Sequence, residues 1–170
     1  FNTLAGGDDG DLLLGYGQTV DIFGLRLGEN RLFGEAGDDI LLGAGERNEL
    51  IAGIGDDIVV SASGRSTLAG ESGDDLLLAF GDTSGSVLDG GADDDILLER
   101  TAFATLRGGE GDDLLASLGR GALVDGGAGD DVVWLGGTQA RVDTGVGDDW
   151  VLDYHAGLLT GGQPVASGHQ

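Results

Sequence analysis

The chain has no cysteine and no methionine, and a single proline in 170 residues. Without cysteine there are no disulfides and no thiol chemistry, a composition compatible with an extracellular setting that needs no disulfide framework. Basic residues are scarce: eight Lys and Arg stand against 31 Asp and Glu, for a formal charge of −23. Nucleic acids and acidic polymers require basic surface, so they are excluded as partners. No apolar run reaches the roughly 18 residues of a membrane-spanning helix, and neither an initiator Met nor a signal peptide is present. His155 and His169 have no partners at ligand spacing, and no Ser/His/Asp set occurs. No catalytic residue is therefore assigned.

Glycine is abundant instead, at 36 residues, while 40% of the chain is hydrophobic. Both classes recur in register. The stretch Gly126–Trp134, GGAGDDVVW, sets positions 1 to 9 of a unit with cognates at Gly34–Leu42, Ala52–Val60, Gly70–Leu78, Gly90–Leu98, Gly108–Ala116 and Thr144–Leu152. The position-6 residues Asp39, Asp57, Asp75, Asp95, Asp113, Asp131 and Asp149 lie 18 residues apart, except for 20 between Asp75 and Asp95. A fixed period of this kind sets the architecture before local propensity does.

Between these acidic units lie plainer nonamers, such as Gly43–Ile51 and Ser117–Asp125, which keep an apolar residue at position 8. Leu50, Leu68, Leu88, Leu106, Val124 and Val142 hold that place, between neighbours that are mostly polar or small. Apolar at 8 between such neighbours is a strand with one side buried. The glycines before it mark a turn, and at this density they would cancel a helix, at about 1 kcal/mol per interior glycine. Two strands and two turns per period predict an all-β, right-handed parallel β-roll, with two sheets facing each other across a thin core.

Stacked turns bring successive position-6 carboxylates to roughly 5 Å, the strand spacing. Each sits beside a second aspartate at position 5: Asp38, Asp56, Asp74, Asp94, Asp112, Asp130 and Asp148. Turn preference accounts for one Asp per turn, but not for paired Asp at one phase and none at the other. Such a column needs cations, and an all-oxygen donor set without His or Cys selects a hard ion. Ca²⁺ tolerates irregular oxygen cages, whereas Mg²⁺ demands a strict octahedron.

GGAGDDVVW resembles the nonapeptide GGxGxDxUx of the RTX (repeats-in-toxin, hemolysin-type) calcium-binding family, over roughly Leu4 to Leu152. The resemblance implies Ca²⁺ between consecutive turns, held by position-6 carboxylates and by backbone carbonyls of positions 2 and 4. Here those carbonyls belong to Glu35, Gly37, Gly53, Gly55, Glu71, Gly73, Gly91, Asp93, Gly109, Gly111, Gly127, Gly129, Gly145 and Gly147. Seven turns enclose about six shared sites. The resemblance further implies a non-catalytic segment of a secreted or cell-surface bacterial protein, such as a toxin, adhesin or exoenzyme exported by type I secretion. Two departures stand out: Asp93 replaces a position-4 glycine, and the opposite edge is nearly free of ligands.

The ends are less regular. Residues 1–152 are read as the roll, with irregular register over 1–33 and a regular array over 34–152; 153–170 are a decaying repeat and tail. Phe1 and Leu4 fit positions 5 and 8 of a cut repeat, so a longer array is expected. The 28 residues from Asp11 to Asp39 divide into three nonamers plus Gly24. That division predicts Asp11 on the edge opposite Asp39, in line with Asn30 and Asn48, with Asp11 and Asn30 as weak ligands at best. Asp153–Thr160 is expected to form one more half-coil, and Pro164 to end the pairing, leaving Val165–Gln170 as a frayed tail.

If position 8 points inward, positions 7 and 9 point outward, and in the acidic units these are apolar. Ile40, Leu42, Ile58, Val60, Leu76, Leu78, Ile96, Leu98, Leu114, Val132, Trp134, Trp150 and Leu152 predict an apolar outer face seven strands long. Leu12 and Leu14 are assigned by the same division to the other sheet. A face of this size exceeds what soluble monomers leave bare, which predicts burial against a second copy or a flanking domain.

Overall fold

The computed structural model describes residues 2–16, 18–21, 24–27, 29–45, 47–62, 65–81, 85–154 and 157–160. Strands follow one another as β1 (Asn2–Gly7), β2 (Leu12–Tyr16), β3 (Gln18–Asp21), β4 (Gly24–Leu27), β5 (Glu29–Ala36), β6 (Ile40–Ala44) and β7 (Arg47–Ile54). The regular array continues with β8 (Ile58–Ser61), β9 (Thr67–Ser72), β10 (Leu76–Ala79), β11 (Val87–Ala92), β12 (Ile96–Glu99) and β13 (Thr105–Glu110). It closes with β14 (Leu114–Ser117), β15 (Leu123–Ala128), β16 (Val132–Leu135), β17 (Arg141–Val146), β18 (Trp150–Asp153) and β19 (Gly157–Thr160).

Strands alternate between two sheets. One runs β1-β5-β7-β9-β11-β13-β15-β17, the other β2-β6-β8-β10-β12-β14-β16-β18-β19. Pairing between successive coils is parallel and in register, as in Leu106↔Val124↔Val142 and Leu115↔Val133↔Val151. The chain is a β-solenoid of about 18 residues per coil, as the period requires. A single file of position-8 side chains from each sheet fills the core, from Leu13 to Val151 on one side and from Leu32 to Val124 on the other.

The outer faces differ. On the sheet that holds β5 and β7, cross-strand ion pairs lie at Arg31–Glu49 (2.8 Å), Arg47–Glu29 (3.6 Å) and Arg107–Asp89 (3.5 Å). Exposed pairs of this kind contribute little each, about 0.2–1 kcal/mol. On the other sheet, Ile40, Ile58, Ile96, Leu114, Val132, Trp134, Trp150 and Leu152 are exposed. Leu42, Val60, Leu76, Leu78 and Leu98 are half-buried beside them.

Three assignments from the sequence are corrected. β1 pairs with β5 and β2 with β6, so Asp11 lies over Asp39 on the same edge, and Leu12 and Leu14 extend the apolar face to eight parallel strands. The ten residues in excess of one period do not form another half-coil. β3 and β4 pair antiparallel as a local hairpin, Gln18↔Leu27 to Asp21↔Gly24, which leaves the register of the roll untouched. Asn30, in contrast, lies on the opposite edge, stacked on Asn48. At the far end β19 turns back and pairs antiparallel with β18 in the same sheet, rather than crossing to make a half-coil. His155, Pro164, Val165–Gln170 and His169 lie outside the described residues.

Candidate metal centre along one edge

From β5 onward, each connection from a first-sheet strand to the next second-sheet strand is a tight turn carrying the Asp-Asp pair, as in Gly37–Asp39 between β5 and β6. The turn needs positive φ at positions 2 and 4: Gly127 and Gly129 adopt 118° and 135°. Three side-chain-bearing residues take the same conformation, Glu35 at 80°, Glu71 at 81° and Asp93 at 78°. A non-glycine residue in this region carries strain of about 1–3 kcal/mol. The expected Asp93 departure from the pattern is therefore accommodated without changing the turn.

The position-6 carboxylates form a continuous buried ladder. Oδ1 of each accepts the backbone N–H of the preceding one: Asp39 from Asp11 (2.6 Å), Asp57 from Asp39 (2.6 Å), Asp75 from Asp57 (2.8 Å), and Asp95 from Asp75 (2.9 Å). Asp113 accepts from Asp95 (2.8 Å), Asp131 from Asp113 (2.9 Å) and Asp149 from Asp131 (3.0 Å). The position-5 carboxylates form a second, exposed ladder of opposite sense. Asp38 Oδ1 accepts from the Asp56 N–H at 3.1 Å, and the pattern repeats to Asp130, which accepts from Asp148 at 2.7 Å. Each Asp-Asp pair from Asp38-Asp39 to Asp130-Asp131 thus ties its turn to the turns on both sides.

The other oxygen of the buried ladder decides the chemistry. Oδ2 of Asp39, Asp57, Asp75, Asp95, Asp113 and Asp131 is enclosed and has no hydrogen-bond partner. An enclosed, unpaired carboxylate oxygen is strongly disfavoured unless a cation or proton meets it. Burial, followed by repulsion from neighbouring aspartates, pushes five of the ladder carboxyls up: Asp57, Asp113 and Asp131 to about 6, Asp75 and Asp95 to about 7. Backbone N–H donation within the ladder opposes the shift but does not cancel it.

The carbonyls named from the resemblance stack on the same edge. The Glu35 carbonyl lies against the Cα of Gly53, that of Gly37 against Gly55, that of Gly109 against Gly127, and that of Gly129 against Gly147. A side chain at any of these glycines would press on the carbonyl before it. Each position-1 glycine likewise abuts the unpartnered Oδ2, as Gly126 does that of Asp131. Among the described residues no three His, Cys, Asp or Glu side chains converge on one point. Any cage here must therefore combine carboxylate with backbone oxygen, the composition that suits Ca²⁺.

At position 6 the opposite edge is neutral. Asn30 Nδ2 donates to the Gly15 carbonyl (3.0 Å) and to Asn48 Oδ1 (2.8 Å), while Asn48 donates to Ser61 Oγ (2.8 Å). Ala104, Ala122 and Ala140 replace these groups further along. Sequence reasoning missed one acidic side chain, Glu99, which is fully buried on this edge. Its signal was available: within the regular array the other plain nonamers begin with Gly43, Ser61, Ala79, Ser117 and Leu135, none of them charged.

A family model for the RTX calcium-binding nonapeptide repeat matches the chain in 4 copies, over residues 27–50, 51–79 and 105–118. The same coil geometry continues beyond the match through Asp131 and Asp149. No curated protein and no solved structure matches the chain.

Proposed function

We propose, from the premise that this chain carries RTX calcium-binding nonapeptide repeats, that it is a non-catalytic module whose roll folds when Ca²⁺ occupies its acidic edge. The observation that carries this reading is the file of six enclosed Oδ2 atoms without partners. Six such atoms, on six of the eight stacked turns, support about six sites. In each, a position-6 aspartate would supply charge and the carbonyls at positions 2 and 4 would complete the oxygen set. Bound Ca²⁺ supplies the positive charge that lets stacked carboxylates stay ionised. The protein's own contribution is to space those carboxylates, exclude water from Oδ2 and keep side chains away from the carbonyls.

Because every site is completed only by two adjacent coils, binding energy becomes folding energy. Without cations, −23 on a glycine-rich chain favours disorder. Affinity in the extracellular range, about 10⁻⁴–10⁻³ M, would make the module fold outside the cell, as part of a secreted or cell-surface protein exported unfolded. Far-UV circular dichroism during a Ca²⁺ titration of chelated protein tests this. Strand signal should rise with Ca²⁺, and a strand spectrum that persists unchanged in excess chelator would sink the idea.

A second reading concerns the apolar outer face. Ile58, Ile96, Leu114, Val132, Trp134 and Trp150 are each exposed by 39–49% along one sheet. Eight parallel strands at about 4.8 Å give this face a length of roughly 34 Å. Its positions 7 and 9 carry no charged side chain, unlike the aspartate edge. That supports assembly through the face, most simply by pairing with the same face of a second roll.

A further inference from the structure

Among the described residues, one titratable side chain is buried away from the aspartate ladders: Glu99, with 0% of its surface exposed. It ends β12 and turns inward at the plain edge, in register with Ser117 of β14. Its Oε2 accepts the Ser117 hydroxyl at 2.9 Å. Oε1 is enclosed and takes part in no hydrogen bond of ordinary geometry, and neither does Oγ1 of Thr101, itself 1% exposed. Gly119, from the next coil, covers both residues. A methyl group on its Cα would lie 2.8 Å from Glu99 Oε1 and would press on the Thr101 carbonyl. The Glu99 carboxylate and the Thr101 carbonyl thus face one small region between two stacked loops, with the enclosed Thr101 hydroxyl turned toward the carboxylate. No ion pair of the described residues compensates the carboxylate.

We propose that Glu99 Oε1, Thr101 Oγ1 and the Thr101 carbonyl form a single further site for a hard divalent cation, Ca²⁺, on the plain edge. It is built from positions 1 and 3 of the plain nonamer. The position that carries aspartate on the other edge is held here by Ala104 and Ala122. It cannot repeat along the roll, because the equivalent pairs are Ala79 with Gly81, Ser117 with Gly119 and Leu135 with Gly137. The size pattern explains how the carboxylate fits. Position 1 faces position 6 across this edge, Gly43 against Asn48 and Ser61 against Ser66. At Glu99 the facing residue has shrunk to Ala104. Burial pushes the Glu99 carboxyl above the usual range, and groups of Ser117, Thr101 and Gly119 turned toward it favour its ionised form. A buried carboxylate oxygen that no donor reaches at bonding distance is met by a cation or a proton.

The site exists only in the folded roll and so rests on the Ca²⁺-driven folding proposed above, but its test separates the two. Equilibrium dialysis against CaCl₂ and calorimetric titration compare the whole chain with Glu99→Gln, Thr101→Val and Asp113→Asn. Glu99→Gln should bind one equivalent fewer at saturation while keeping its Ca²⁺-driven rise in strand signal. Thr101→Val should weaken one equivalent by roughly tenfold or more and leave the others alone. Asp113→Asn reports on the column instead, through the midpoint of the strand transition. An unchanged count in Glu99→Gln, the result expected if a proton rather than a cation meets Oε1, overturns the proposal. Should Glu99→Gln fail to fold, Thr101→Val decides: wild-type affinity at every equivalent overturns it.

Discussion

Asp113 accepts the backbone N–H of Asp95 through Oδ1 at 2.8 Å, while its Oδ2 is enclosed without a partner. One carboxylate therefore does two separable things, and Asp113→Asn separates them. The amide oxygen keeps the bond to Asp95, but the charge at two adjoining gaps is lost. An interaction with a charged group is worth about 1.5–3 kcal/mol, so the Ca²⁺ midpoint should rise roughly tenfold or more. Circular dichroism over a Ca²⁺ series checks this. A midpoint equal to that of the parent would show that the column does not bind.

Asn48→Ala probes the plain edge. Its side chain donates to Ser61 and accepts from Asn30, so truncation leaves buried partners unmet at a cost of about 1–3 kcal/mol. Denaturant melts in excess Ca²⁺ should show that loss, while the number of Ca²⁺ bound stays the same. A reduced count would place a ligand where the structure places an amide network.

Acid should substitute in part for calcium. Asp75 and Asp95 are pushed up to about 7, and Asp57, Asp113 and Asp131 to about 6, from an ordinary 3.8. Groups raised in the fold bind protons more tightly there than in the unfolded chain. Their contribution to the metal-free fold is complete below 3.8 and is lost as pH rises through 6–7. Chelated protein should thus gain strand signal as pH falls from 8 to about 4. At pH 6.5, Ca²⁺ binding should release protons, seen as a titration heat that varies with the buffer's ionisation enthalpy. Strand content of the chelated chain that ignores pH across this range would contradict the burial of these carboxylates.

Gly55→Ala and Gly85→Ala form a matched pair. Both positions have positive φ, 135° and 94°, but a methyl at Gly55 would press on the Gly37 carbonyl while Gly85 faces open space. Gly85→Ala should cost on the order of 1 kcal/mol from conformation alone, and Gly55→Ala a further 1–3 kcal/mol or so from overpacking. Thermal melts in Ca²⁺ measure the difference. Equal losses would mean that the turns are not stacked this closely.

The apolar face makes a prediction of its own. The Ca²⁺-loaded chain should sediment as a dimer or larger at tens of micromolar, and the Ile58→Lys, Leu78→Lys double variant as a monomer with the same Ca²⁺ count. A parent that is already monomeric rules out self-association through the face.

The interior of the roll was readable because its period is rigid. Every position-8 residue from Leu41 to Val133 is buried and every position-6 aspartate from Asp39 to Asp149 sits on one edge. What escaped was anything that broke the count. Counting nonamers from Asp11 to Asp39 gave an odd number of half-coils and placed Asp11 on the wrong edge. The chain instead looped ten residues out as the β3–β4 hairpin, because Gln18–Asp21 and Gly24–Leu27 can satisfy each other's backbone locally. β19 escaped for the same reason: folding back on β18 satisfies its backbone without a further half-coil. Glu99 stood out as a charged start to a plain nonamer, but nothing in one sequence tells an inward carboxylate from an outward one at a strand end.

Both departures within the roll fall on one side of it. Asp11 to Asp39 spans 28 residues and Asp75 to Asp95 spans 20, yet both pairs keep the Oδ1 contact found at 18. The aspartate edge behaves as a ruler whose graduations are fixed by carboxylate-to-amide reach, and the opposite edge absorbs whatever length remains. Foreign peptides spliced into the connection after Gly81 would thus be carried outward on a scaffold whose metal-binding pitch ignores them. Display surfaces could then be built coil by coil, with the loop on one margin and the cation switch on the other.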